Sequence, residues 1–229
     1  MRFGLQKLTL LDYPGAVACT VFCCGCNLRC PFCHNASLVT GNENGLELDF
    51  ASLLEFLEKR RNTLDGVCFT GGEILLHPDA VDAIAAAKAL GYKVKVDTNG
   101  TFPEVLKELI SSGNVDYVAM DIKGSPEKYA LCCGREGMLE AVSQSVQILL
   151  SSPVDYEFRT TVTGNLHEIS DFAAIGKWIS GAKRYFLQAF ADSGDILDKS
   201  RNFSVSGEFI ASALEEVRKF VPDAALRGR

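Results

Sequence analysis

From Gly66 onward the chain alternates short apolar, β-leaning runs with helix-patterned stretches, and this rhythm leaves few folds open. Runs 66–70, 93–97, 117–122, 156–162 and 184–189 read as strands. Each is followed by a helical pattern, over 79–90, 103–112, 139–150, 168–179 and 208–220. Another apolar run, 16–24, precedes them, and Asp49 is placed to cap a further helix over 52–61. Strand–helix–strand units at this spacing are right-handed and build a parallel sheet. Six βα units are too few to close an eight-unit barrel. The expected fold is α/β: a partial (β/α)6 barrel, an open parallel sheet with outer helices. No composition break or low-complexity tract divides the 229 residues, so 1–229 reads as a single domain.

Composition narrows the function classes. The formal net charge of -6, with no basic stripe, argues against a nucleic-acid partner and gives no pull toward anionic membranes. No segment approaches the ~20 apolar residues of a membrane span. Arg2, Gln6 and Lys7 interrupt the apolar start, unlike a signal peptide. The expected location is cytoplasmic. There, nine cysteines, an odd number, read as reduced thiols and ligands rather than a disulfide framework.

Active sites of parallel α/β sheets gather at the carboxyl ends of strands, and the chain's polar motifs fall there. Cys26 to Cys33 follows the first strand, and Thr70-Gly71-Gly72-Glu73 closes the second. Asp97-Thr98-Asn99-Gly100 closes the third, and Asp121-Ile122-Lys123 the fourth. Arg159-Thr160-Thr161 lies on the fifth, and Gln188-Ala189-Phe190 ends the sixth. Recurrence at one edge says more than any single motif.

Cys26-Asn-Leu-Arg-Cys30-Pro-Phe-Cys33 puts three thiols in eight residues, a set suited to a soft metal centre. A cubane cluster held by three cysteines keeps one iron free for a small molecule. Two zinc alternatives remain. Cys23/Cys26 and Cys30/Cys33 can be read as paired knuckles, although zinc ribbons separate theirs by ~15–20 residues. Cys26, Cys30, Cys33 and His34 form a permitted Cys3His set, although adjacent His34 and Cys33 bind one ion awkwardly. Cys19, Cys23, Cys24 and Cys68 read as small apolar packers, and Cys132-Cys133 as a non-ligating pair in a loop.

The CxxxCxxC, GGE and DTNG motifs together resemble the radical S-adenosylmethionine (SAM) superfamily. More closely, the runs Asp12-Tyr13-Pro14-Gly15, 25–35, 97–100, Met120-Asp121-Ile122-Lys123 and 156–162 are similar to anaerobic ribonucleoside-triphosphate reductase activating proteins, a group of glycyl-radical-enzyme activases. The resemblance runs from about Leu5 to Leu197. It implies a partial radical SAM barrel and an oxidoreductase whose reduced [4Fe–4S] cluster cleaves SAM to make a glycyl radical on a partner enzyme. The cofactor brings the hard chemistry, and the protein brings ligation and orientation.

Carried onto this sequence, the resemblance makes Cys26, Cys30 and Cys33 the catalytic cluster ligands. It puts Phe32 against adenine, His34 near cofactor or substrate, and Gly71, Gly72 and Glu73 at the SAM amino group. Asp97, Thr98 and Asn99 fall to the ribose or methionine end. Asp121 and Lys123 fall to ribose or the SAM carboxylate, with or without a cation. Arg159 pairs with the SAM carboxylate and Gln188 with adenine or substrate. The chain departs from the common pattern at Ile74, where many members have proline after GGE. It has no second, ferredoxin-type cysteine cluster, so electrons are expected from an external donor such as flavodoxin or ferredoxin.

Each residue also has an ordinary reading. Gly71-Gly72 and Asn99-Gly100 can be turns, Asp97 and Asp121 helix caps, and Lys123 and Arg159 solvated charges. His77 and His167 read as surface or packing residues. Rival functions are activation of pyruvate formate-lyase or another glycyl-radical enzyme, a small-molecule radical SAM enzyme such as a 7-carboxy-7-deazaguanine synthase, and a structural iron–sulfur or zinc protein. The last has no need of the GGE and DTNG motifs.

Overall fold

A computed structural model describes residues 1–41, 45–192, 194–201 and 203–228. The six expected strands appear as β2 (Ala18–Cys23), β3 (Gly66–Gly71), β4 (Lys93–Thr98), β5 (Tyr117–Asp121), β6 (Asp155–Val162) and β7 (Tyr185–Ala189). They pair in chain order, all parallel. Two further strands extend the sheet: β1 (Gly4–Thr9), antiparallel to β2, and the short β8 (Ala225–Leu226), parallel to β7. The sheet is therefore mixed and eight-stranded, where six parallel strands were expected. Among the described residues β1 and β8 do not pair with each other, so the barrel is open between them.

The helices are α1 (Ala36–Val39), α2 (Phe50–Arg60), α3 (Pro78–Ala89), α4 (Pro103–Ser111), α5 (Tyr129–Cys133), α6 (Leu139–Leu150), α7 (Ile169–Trp178) and α8 (Gly207–Arg218). Asp49 caps α2 as its position suggests, its carboxylate accepting from the Ser52 amide at 2.8 Å. Prolines open α3 and α4, where the missing N–H costs nothing. Cys132 and Cys133 lie not in a loop but in α5, both buried. None of the described helices is long and apolar enough to cross a membrane.

Period-two alternation sends the two faces of the sheet to different surroundings. Val67, Phe69, Val94, Val96, Val118, Met120, Tyr156 and Phe158 are fully buried in the apolar layer of the main core. Their neighbours on the other face are mostly polar and bond to one another between adjacent strands, as Thr70 does with Asp97 and Arg159 with Asp121. At the barrel floor Tyr13 and Tyr117 meet with ring centroids 6.1 Å apart. Beside them the buried Glu157 accepts the Tyr117 hydroxyl at 2.6 Å and pairs with Arg227.

The segment carrying Lys123 is anchored from α7. The Asp171 carboxylate accepts from the Ser125 hydroxyl (2.8 Å), the Lys128 ammonium (3.0 Å) and the Glu168 amide (2.8 Å). Burial raises the pKa of Asp171, but these donors outweigh it and leave the carboxyl below its ordinary value. A depressed carboxylate stabilises the fold above its unfolded pKa and ceases to as pH falls through the folded value. Asp171→Ala should cost about 2 kcal/mol at pH 7 in urea unfolding. The gap to the wild type should narrow below about pH 4, and a gap independent of pH would discount the carboxylate's charge.

Candidate active site

The loop from Cys23 to Cys33 lies across the carboxyl ends of β3 and β4, and glycines let it come close. Gly71 has φ +125°, and a Cβ there would stand 2.3 Å from the Cys23 carbonyl oxygen. A Cβ on Gly72 would stand 2.0 Å from that of Gly25. At this separation the Gly72 amide donates to Cys23 O (3.0 Å) and the Glu73 amide to Gly25 O (2.8 Å). The two glycines are thus required by the cysteine loop itself.

Three clamps hold that loop. At its start, Glu73 is fully buried and accepts from the Thr98 hydroxyl (2.7 Å), the Asn99 amide (2.7 Å) and the Leu75 amide (3.2 Å). Asn99 in turn donates to Asn27 Oδ1 at 3.0 Å. In the middle, the Arg29 amide donates to Cys133 O (3.0 Å) and Arg135 to Asn27 O (2.7 Å). Gly134, left-handed at φ +68°, packs so close that a Cβ would lie 2.0 Å from Arg29 O. At its end, the Leu197 amide donates to Cys33 O (3.1 Å) and the Asp198 amide to Pro31 O (3.0 Å). Asp195 closes this clamp by accepting from Ser37.

Beneath the loop is a cavity of about 420 Å³. It is lined by Cys26, Phe32, Cys30, Cys33 and His34 from the loop, and by Gly71, Gly72, Asp97, Thr98, Asn99, Asp121, Lys123, Arg159 and Gln188 from the strand ends. Every residue singled out in the sequence therefore meets here except Glu73, which stands behind the wall and reaches the cavity only through Thr98 and Asn99. His77 Nε2 donates to Cys24 O at 2.7 Å, holding the loop from outside the cavity. His167 is buried between Thr163 and Lys123 O, in packing roles.

The cavity wall is a chain of paired charges. Arg159 Nε meets Asp121 at 2.9 Å and Nη1 meets Asp97 at 3.2 Å. Lys123 meets the other Asp121 oxygen at 3.0 Å, and Lys95 pairs with Asp97. Burial opposes ionisation of Asp97 and Asp121, but Arg159 above all outweighs it and both carboxyls sit below their ordinary values. Burial likewise opposes the Lys123 charge, and Asp121 overrides it, raising the pKa. Lys95 and Arg227, both lining the cavity, were not among the site residues expected from the sequence. Lys95 lies on the same face as Asp97 two residues on, the signal that could have found it. Arg227 follows a two-residue strand and left no such signal.

Burial pushes the Cys30 thiol up to about 12 and raises Cys26 as well. Soft-metal binding at these thiols therefore releases protons. Among the described residues no three of His, Cys, Asp and Glu surround one point as ligands of a single metal ion would. Burial lowers the His34 pKa, favouring a neutral imidazole.

Gly72→Ala tests the close approach. Helix content by circular dichroism should be unchanged. Alkylation of Cys30, 7% exposed in the native protein, should speed up about tenfold, equivalent to ~1.4 kcal/mol of local opening. An unchanged rate would mean that the loop does not depend on Gly72.

Comparison with known proteins agrees with this geometry. Residues 20–177 match the family model described as the radical SAM superfamily. A putative glycyl-radical enzyme activating enzyme of Methanocaldococcus jannaschii is 33% identical over 193 residues, 82% of this chain and 78% of that protein. A pyruvate formate-lyase-activating enzyme of Clostridium pasteurianum is 28% identical over 202 residues, 83% of this chain and 82% of that protein. In fold, the chain is similar to Streptococcus suis SuiB bound to S-adenosylmethionine, with a TM-score of 0.71 at 12% identity. That match covers 89% of this chain but 48% of SuiB, so the chain spans about half the length of that structure. Strand order, cavity and sequence agree: the chain belongs to the radical SAM superfamily, enzymes that work with a [4Fe–4S] cluster and S-adenosylmethionine.

Proposed function

We propose that this chain activates a glycyl-radical enzyme, foremost an anaerobic ribonucleoside-triphosphate reductase, in the cytoplasm and with flavodoxin or ferredoxin as external donor. The observation that carries the reading is the convergence of Cys26, Cys30 and Cys33 with Asp97, Asp121, Lys123 and Arg159 on one cavity. In this reading the three thiolates hold a [4Fe–4S] cluster. Bound there, such a cluster would supply the electron for reductive cleavage of SAM to methionine and a 5′-deoxyadenosyl radical, the species that would take a hydrogen atom from a glycine Cα of the partner.

The residues around the cavity bind and orient. The Lys123 ammonium, held by Asp121, is the cation for the SAM carboxylate. Arg159 spends Nε and Nη1 on the two aspartates, so it fixes their positions and has donors left for the same carboxylate. Gly71 and Gly72 present bare backbone toward the amino group, while Glu73 holds Thr98 and Asn99 in place behind them. Phe32, packed edge-on against Phe203 with centroids 6.2 Å apart, gives adenine a fixed apolar wall, and Gln188 and His34 border it.

Support for a polypeptide substrate comes from the open side of the barrel. The cavity is bordered by Leu11, Asp12 and Pro14 after β1 and by Arg227 and Gly228 after β8. It therefore extends to both free edges of the sheet. A loop delivered through that gap would bring its glycine to contact distance, as a short-lived radical requires. The similarity to the two activating enzymes supports the same class of partner.

Anaerobic reconstitution should give about four irons per chain, lost in each of Cys26→Ala, Cys30→Ala and Cys33→Ala. Lys123→Met should weaken SAM binding about ten- to a hundredfold, the loss of a charge-assisted hydrogen bond. With SAM, a reductant and a cognate reductase, a glycyl-radical doublet should appear, and deuterium on the glycine Cα should reach 5′-deoxyadenosine. Consumption of SAM on a small molecule, with no transfer from any glycyl-radical enzyme, would overturn the activase reading.

A further inference from the structure

Asn99 bridges the cysteine loop and the DTNG turn in a way that SAM binding does not require. Its side chain is almost wholly buried. The amide orientation is fixed by its neighbours: Oδ1 accepts from both the Thr101 amide (3.0 Å) and the Thr101 hydroxyl (2.6 Å). An amide oxygen pinned by two donors turns Nδ2 the other way. Nδ2 there donates to Asn27 Oδ1 at 3.0 Å and to Cys26 Sγ at 3.7 Å. The Asn99 backbone amide is itself held by Glu73. A second donor reaches the same sulfur, the Leu28 amide at 3.4 Å.

The sulfurs are not equivalent. Cys26 Sγ receives two N–H groups, whereas Cys30 Sγ faces a carbonyl, Cys133 O at 3.7 Å. As a thiolate Cys30 can make no bond to that oxygen, so its surroundings do not stabilise added negative charge in this way. N–H donors to a cysteine sulfur favour the reduced, more negative state of an iron–sulfur centre and raise its potential.

We propose that Asn99 is a positioning and tuning residue for the cluster, its Nδ2–H raising the reduction potential through Cys26. This rests on the reading that Cys26 is a cluster ligand. The role is electronic and distinct from contact with SAM.

The test is potentiometric electron paramagnetic resonance on the reconstituted protein without SAM. Asn99→Asp keeps the shape and an oxygen for Thr101 but removes the donor, and Asn99→Ala removes the donor without adding charge. In both, the ratio of reduced to oxidised cluster at a fixed potential should fall about tenfold, which is ~59 mV for a one-electron couple. Thr101→Ser keeps the hydroxyl that orients the Asn99 amide and leaves the Nδ2 contact in place, and its ratio should stay within about twofold of the wild type. A wild-type ratio in Asn99→Ala with full iron content would overturn the proposal while leaving cluster ligation intact. Failure of the wild type to bind iron would overturn both. Should neither Asn99 variant hold iron, the wild type decides: protein labelled with 15N-asparagine should show a weak 15N coupling to the reduced cluster, and its absence overturns the proposal.

Discussion

The Glu73 carboxylate is the interaction on which the site's architecture depends. It is wholly buried, and three donors from two strand ends converge on it: Leu75, Thr98 and Asn99. Burial, working against these bonds, raises its pKa to about 7. A carboxyl in this setting is costly if left unsatisfied, so the ends of β3 and β4 are held at a fixed separation around it. Its own amide, with that of Gly72, carries the cysteine loop. Sheet, SAM-family glycines and thiols thus share one junction.

Below that junction the barrel interior is charged where an ordinary barrel would be packed with branched apolar side chains. Lys95, Asp97, Arg159, Asp121 and Lys123 form one continuous paired series, and Glu157 with Arg227 forms another at the floor. Such pairs are poor stabilisers once desolvation is counted. Their value is fixed orientation: dipoles and charges already in place need no rearrangement when a charged ligand arrives. The apolar face of the sheet, with Phe69, Phe158 and Tyr156 fully buried, carries the stability that this interior does not.

How far the sequence revealed this can be followed residue by residue. Runs such as 93–97 and 156–162 were legible because apolar and polar residues alternate in them with the period of two that a strand with one apolar face requires. β1 was not, because Gln6, Lys7 and Leu8 face solvent at a sheet edge and break the pattern. β8 has two residues and no pattern at all. The cavity residues were legible because short polar motifs after strands collect at one edge. The place of Glu73 behind the wall was not, since a motif tells which residues gather but not which of them faces the ligand. The bracing of Asn27 and Arg29 by 133–135 joins segments about a hundred residues apart, and nothing local in Cys132-Cys133-Gly134 announces it.

The central claim is that three cysteines leave one iron of a cluster open toward a cavity built for SAM. Pulsed electron paramagnetic resonance of the reduced protein with SAM labelled by 15N in its amino group and 17O in its carboxylate tests it most directly. The account predicts hyperfine coupling from both labels, since the cavity that would hold SAM is lined by all three cysteines. Tightly bound SAM that shows neither coupling would contradict it.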